Sequence, residues 1–175
     1  TVEKGFVYAD SALNGDPIAG DANVTTAPVA GLTEGSYASA LTALNPNTTY
    51  YYKAYLYDGT DYTYGAIEQF TTLAVADHLF FSVDPPATGS VGINLASFTV
   101  QARRPDNSVD TEYTTAITID KVTGPGNLTG TATTVNGVAT FTTAKFDAVG
   151  TYTISASSGS LATVINPVNI VITIP

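Results

Sequence analysis

The chain has 175 residues, 44% of them hydrophobic and 12% charged, with 15 Gly, 9 Pro and no Cys, Met or Trp. Its net charge of −9 comes from six basic and fifteen acidic side chains, a balance that repels phosphate backbones and anionic bilayers and so excludes nucleic acid and acidic membrane surfaces as partners. Without Cys there are no disulfides, no thiolate chemistry and no Cys-based metal site, and no apolar run approaches the roughly 20 residues of a membrane-spanning helix.

Thr, Val, Tyr and Ile recur throughout while Gly and Pro punctuate at short intervals, which predicts an all-β chain. Its length suits two tandem antiparallel β-sandwiches of under about 100 residues each. The expected boundaries are 1–73 for the first domain, 74–76 for a short linker and 77–175 for the second. Leu73-Ala74-Val75-Ala76 carries no Gly, Pro or charge, so a short, stiff join is expected. Lacking Met even at position 1, the chain reads as a piece of a longer polypeptide whose targeting signals lie outside it.

In the first domain, strands are expected over 2–9, 23–29, 36–44, 49–57 and 63–72. Leu44-Asn45-Pro46-Asn47 is turn chemistry, and Tyr50 to Tyr57 then alternates. Tyr50, Tyr52, Ala54 and Leu56 share one face, taken as the core face because of Ala and Leu. Tyr51, Lys53, Tyr55 and Tyr57 share the other, expected to face outward. Asp58-Gly59 predicts a tight turn into the last strand. In the second domain, strands are expected over 78–83, 96–103, 114–121, 127–134, 137–143, 149–157 and 161–174. Asn136-Gly137 is the strongest hairpin signal in the chain.

The segments Glu3-Lys4-Gly5-Phe6-Val7-Tyr8, Leu44 to Tyr55, Tyr64-Gly65 and Phe70-Thr71-Thr72 resemble the C-terminal two-thirds of a fibronectin type III domain of the kind common in Bacteroidetes surface and secreted proteins. The resemblance implies that Tyr50 is a buried corner tyrosine whose hydroxyl ties back to upstream backbone. It also implies that the first two strands of such a domain lie upstream of Thr1. Phe98 to Ala102, Asp106 to Val109, Gly137 to Phe141 and Gly150 to Gly159 resemble bacterial immunoglobulin-like domains of the invasin and intimin type. Such domains serve as repeated stalk units or accessory modules, and the resemblance implies no catalysis.

Candidate chemistry is sparse. The one His, His78, sits beside Asp77 with no nucleophile elbow near it, and no two of the fifteen acids are placed as a facing acid and nucleophile. Three oxygen-rich clusters are calcium candidates: Asp16 with Asp21, Asp58 with Asp61, and Asp106 with Asp110. None has EF-hand spacing, and turn formation accounts for each. Tyr51, Tyr55, Tyr57 and Tyr62 are a candidate ligand surface, since aromatic faces stack on sugar rings, although cross-strand pairing also explains them.

The expected function is a non-catalytic structural or adhesion module, a stalk or spacer, of a larger secreted or cell-surface bacterial protein. Its expected partners are neighbouring domains of the same polypeptide. The alternatives are a carbohydrate-binding accessory region of a polysaccharide-degrading enzyme and a surface filament subunit completed by a donor strand. A glycan and another surface protein are the corresponding partners, and no cofactor is expected.

Overall fold

A computed structural model describes residues 2–31 and 35–175. The chain divides into two compact units, Thr1–Ala74 and Val75–Pro175, and both are all-β.

The first unit is one antiparallel sheet of β1 (Glu3–Asp10), β2 (Thr25–Val29), β3 (Thr49–Tyr57), β4 (Tyr62–Tyr64) and β5 (Glu68–Thr71). β3 lies at its centre, with β1 and then β2 on one side. β4 and β5 share its other edge, β4 beside Tyr55–Tyr57 and β5 beside Thr49–Tyr52. The single strand expected over 63–72 is thus broken at Gly65-Ala66-Ile67, although the Gly65 amide still donates to the Ala54 carbonyl (2.9 Å). Asp58-Gly59 turns as expected, with Gly59 at φ 106° and the Asp58 amide bonded to the Asp61 carbonyl (3.2 Å).

Cross-strand register puts Phe6, Tyr8, Tyr50, Tyr52 and Phe70 on one face. Their rings pack at centroid distances of 5.6 to 6.2 Å. The opposite face holds Val7 and Ala9, both buried, with Lys53, Tyr55 and Tyr57. The connection from residue 11 to 24 folds back over that face. There Pro17 is buried, the Ala19 amide donates to the Tyr64 hydroxyl (2.9 Å), and Asp16 pairs with Lys53.

The expected inside-out alternation of β3 therefore fails at its far end. Tyr55, expected outside, is 1% exposed, and Leu56, expected in the core, is 55% exposed. Both faces of the sheet are partly covered, so burial is set by what lies over each position and not by strand parity. Leu56 stands opposite Lys4 and Thr63, beyond the aromatic row. The strand expected over 36–44 is also absent: among the described residues no strand lies beside it to form a ladder.

The second unit is a two-layer sandwich. One layer has the order β6 (His78–Val83), β8 (Phe98–Arg103), β12 (Val138–Phe141), β11 (Thr134–Val135). The other is built on β14 (Gly150–Ser158), with β9 (Thr118–Thr123) along one edge and β15 (Leu161–Ile165) and β16 (Ile170–Thr173) along the other. β7 (Thr88–Ser90) joins β16 in parallel, and β6 touches β15 in parallel at His78 and Ala162. A small ladder of β10 (Leu128–Thr129) and β13 (Lys145–Phe146) closes one end. The opening stretch of the unit is thus split between both layers, β6 pairing with β8 in one and β7 with β16 in the other.

Alternation is plain in β8, where Phe98, Val100 and Ala102 are fully buried between exposed or half-buried neighbours. They meet Phe141 from β12 and Tyr152, Ile154, Ile170 and Ile172 from the facing layer. Phe98 stacks on Phe141 at 5.1 Å and Phe146 on Tyr152 at 3.9 Å. Asn136 (φ 49°) and Gly137 (φ 75°) both lie in the left-handed region that a two-residue hairpin turn requires. The last strand, expected unbroken over 161–174, is interrupted at Asn166-Pro167-Val168-Asn169. Proline has no amide to donate. Asn166, fully buried, uses its side chain instead, accepting from the Val168 amide and donating to Asp84 (2.8 Å each).

Candidate functional site

Of the four candidate ligand-surface tyrosines, the structure gathers three. Tyr55, Tyr57 and Tyr62 lie together, with Tyr64 beside them, while Tyr51 stands near the opposite end of β3, across from Ala9 and Gln69. Tyr64 was legible as a member of this group, because Tyr62-Thr63-Tyr64 alternates and puts both tyrosines on one face.

Tyr55 is not surface. Its ring has Tyr62 edge-on at 5.5 Å and Gly5 directly across the ladder, and its hydroxyl donates to the Glu3 carboxylate. A Cβ on Gly5 would lie 2.9 Å from the Tyr55 ring and 2.4 Å from the Ala27 carbonyl oxygen, so glycine is required by close approach. Burial, then the bond to Glu3 and its negative charge, push the Tyr55 hydroxyl pKa well above the ordinary tyrosine value. Tyr62 moves the same way, through desolvation first and Glu3 second.

The remaining tyrosines form a stacked row. Tyr57 and Tyr62 lie 4.5 Å apart at 28°, and Tyr62 and Tyr64 lie 5.9 Å apart at 8°. A sugar platform needs a free ring face. Tyr57 and Tyr64 both stack against Tyr62, so the middle ring of the row is already engaged by its neighbours. Lys53 reaches over the Tyr64 ring (5.4 Å) and pairs with Asp16, which ties the row to the folded-back connection.

Four of the six calcium-candidate carboxylates, those of Asp16, Asp58, Asp106 and Asp110, have internal partners. Asp16 is in that ion pair. Asp58 accepts from the Thr60 and Asp61 amides (2.8 and 2.9 Å), and Asp106 accepts from the Ser108 amide and hydroxyl (2.9 and 2.6 Å). These bonds hold both carboxyls below the ordinary aspartate range. Asp21 closes turns through its backbone, and Asp61 likewise accepts the Asp58 amide. Asp110, far from forming a surface cluster with Asp106, is buried against Arg104 (2.6 Å) and accepts the Ala76 amide (2.9 Å). Among the described residues no three His, Cys, Asp or Glu side chains converge on a common point. His78 Nδ1 sits 2.5 Å from Asp77 Oδ1.

Two features escaped sequence reasoning. Phe6, Tyr37, Ala38, Ser39, Leu41, Tyr52 and Phe70 line an open apolar cavity of about 320 Å³ on the aromatic face of the first unit. Tyr152 is fully buried and donates to the Ala148 carbonyl (2.6 Å), a second corner tyrosine alongside Tyr50. Gly150-Thr151-Tyr152 at the entry of a strand was its signal.

No protein family and no curated protein matches the chain. Solved structures do. Domains 4 and 5 of the S-layer protein SbsC are 15% identical with a TM-score of 0.47, covering 85% of this chain and 90% of that one. The S-layer protein rSbsC(31-844) is 16% identical with a TM-score of 0.50 over 97% of this chain, which spans 20% of that one. A glycosyl hydrolase family 2 member from Bacteroides cellulosilyticus is 9% identical with a TM-score of 0.42, covering 99% of this chain and 28% of that one. At these identities the likeness is one of fold: an all-β chain of sandwich type.

Proposed function

We propose that this chain is a non-catalytic spacer segment of a larger secreted or cell-surface protein, with neighbouring domains of the same polypeptide as its partners, and that its second unit bears tension. The observation that carries this reading is the parallel pairing of the unit's opening and closing strands. β7 runs beside β16 with Thr88, Gly89 and Ser90 opposite Val171, Ile172 and Thr173. The Val171 amide donates to the Ala87 carbonyl (2.8 Å), and the Val91 amide donates to Thr173 (2.9 Å). Tension applied at the two ends of the unit draws parallel neighbours in opposite directions along their axes. The bonds between them are then strained together, not opened one by one as in a peeled hairpin.

We further propose that the first unit is fibronectin type III-like and the second bacterial immunoglobulin-like. The Tyr50 corner and the β2-β1-β3 order, with β4 and β5 on the far edge, support a fibronectin type III-like sheet. The two-layer strand order supports a bacterial immunoglobulin-like second unit. Single-molecule pulling with handles at both ends tests the function. Val171→Pro removes the amide that reaches Ala87 and should lower the unfolding force of the second unit markedly. An unfolding force unchanged by this substitution refutes the reading.

A further inference from the structure

The chain has 11 tyrosines and no Cys, Met or Trp. With the other readily oxidised side chains absent, its phenols are the groups that surrender an electron first. Among the described residues, Tyr57 and Tyr62 make the tightest tyrosine–tyrosine contact, 4.5 Å between centroids at 28°. Tyr55 meets Tyr62 edge-on at 5.5 Å, and Tyr8 meets Tyr50 edge-on at 6.1 Å. Tyr57 and Tyr62 are direct partners in the β3–β4 ladder, one on each side of the Asp58–Asp61 turn. The Asp58 carboxylate accepts the Thr60 and Asp61 amides, so the hairpin itself holds the two rings together. Tyr62 is 40% exposed and Tyr57 half-buried, which gives an oxidant access. Their neighbours are less apt. Tyr55 is buried with its hydroxyl bonded to Glu3. Tyr64 has Lys53 over its ring at 5.4 Å, and a nearby cation makes electron removal costlier.

We propose that Tyr57 and Tyr62 form an oxidative cross-linking site, joined as dityrosine by a peroxide-driven one-electron oxidant such as a haem peroxidase. Each phenol gives one electron to the oxidant and its hydroxyl proton to water. The two phenoxyl radicals pair, forming one carbon–carbon bond between ring positions ortho to the hydroxyls. The hydrogen on each bonded carbon then leaves as a proton while the oxygen takes one up, which restores both phenols. One hydrogen peroxide accepts the two electrons and two protons and becomes two waters. Coupling requires the rings to swing from stacked to edge-joined, which the exposure of Tyr62 permits. Held in one hairpin, the radicals meet each other far faster than those of a second chain. The net charge of −9 also keeps copies apart. The bond closes the 57–62 turn covalently, a staple in a chain that has no disulfide.

The test treats the full 175-residue chain, at micromolar concentration, with a haem peroxidase and limiting hydrogen peroxide. Dityrosine fluorescence should appear, with the intact mass lower by two hydrogens and the chain still monomeric on a denaturing gel. A protease cutting before Asp58 and Asp61 should leave the two flanking peptides joined. Tyr57→Phe and Tyr62→Phe keep the ring packing and should each cut the fluorescence at least tenfold. Tyr64→Phe should leave it within twofold. In urea the joined peptides should lose their predominance as links scatter among the other tyrosines. A yield unchanged by Tyr57→Phe overturns the inference, as does the same link pattern in urea. So do links confined to Tyr62 and Tyr64, a product that is chiefly dimer, and no dityrosine under conditions that couple free tyrosine.

Discussion

The Tyr50 hydroxyl accepts the backbone amide of Asn45 at 2.9 Å, pinning the turn that precedes β3 to the ring that opens it. Tyr152 makes the converse bond, donating to Ala148 at 2.6 Å. Each ring is buried and each hydroxyl satisfies a backbone group. Tyr50→Phe and Tyr152→Phe should therefore each cost about 1 kcal/mol. Calorimetry of the two-unit chain should assign each loss to its own unit, Tyr50 to the first and Tyr152 to the second.

Gly5→Ala should destabilise the first unit by about 2 kcal/mol, because the new methyl meets the Ala27 carbonyl and the Tyr55 ring below normal contact. Tyr55→Ala empties the same place from the other side and should cost about 3 kcal/mol. Denaturant titration of both variants distinguishes a buried Tyr55 from a surface one, whose removal would change stability little.

The buried pair of Arg104 and Asp110, with side chains 8% and 7% exposed, anchors the start of the second unit through the Ala76 amide. Asp110→Ala should lose about 3 kcal/mol, since it deprives a buried guanidinium of its carboxylate. Replacing both partners with apolar residues of similar volume should recover most of that loss. A single variant as stable as the parent would contradict this assignment.

The pH response has opposite signs at its two ends. The native state keeps the Tyr55 proton where the unfolded chain releases it near pH 10. Its contribution is complete below that pH and is lost as pH climbs above it. Asp147 is held below the ordinary aspartate range by the Asn127 amide and then by the Asn127 side chain. Its contribution is present above about pH 4 and is lost as pH falls through the lowered value, as for Asp58 and Asp106. Thermal unfolding from pH 2 to 12 should show both flanks. In Tyr55→Phe, the alkaline flank of the first unit should be shallower.

Where local chemistry and burial agree, the sequence was sufficient. Asn136-Gly137 forms its hairpin, β8 buries every second residue, and Asp58-Gly59 turns. What it could not express is what lies over a face. Tyr55 and Leu56 exchange their expected places because the 11–24 connection folds onto one side of the sheet and the aromatic row stops short on the other. Residues 36–44 have strand composition but find no ladder partner among the described residues, and composition is blind to partners. The Asn166-Pro167 break is visible in the letters, but the Asp84 carboxylate that receives the Asn166 amide is 82 positions away.

The seam where β6 and β7 meet β15 and β16 also bears on crowding. It occupies strand edges that would otherwise be free, and what remains open in the second unit is modest. β11 is only two residues long, and β9 carries Asp120 and Lys121 in its middle. Short and charged edges resist strand exchange between neighbours. The second unit therefore offers little open edge for strand exchange with a copy of itself.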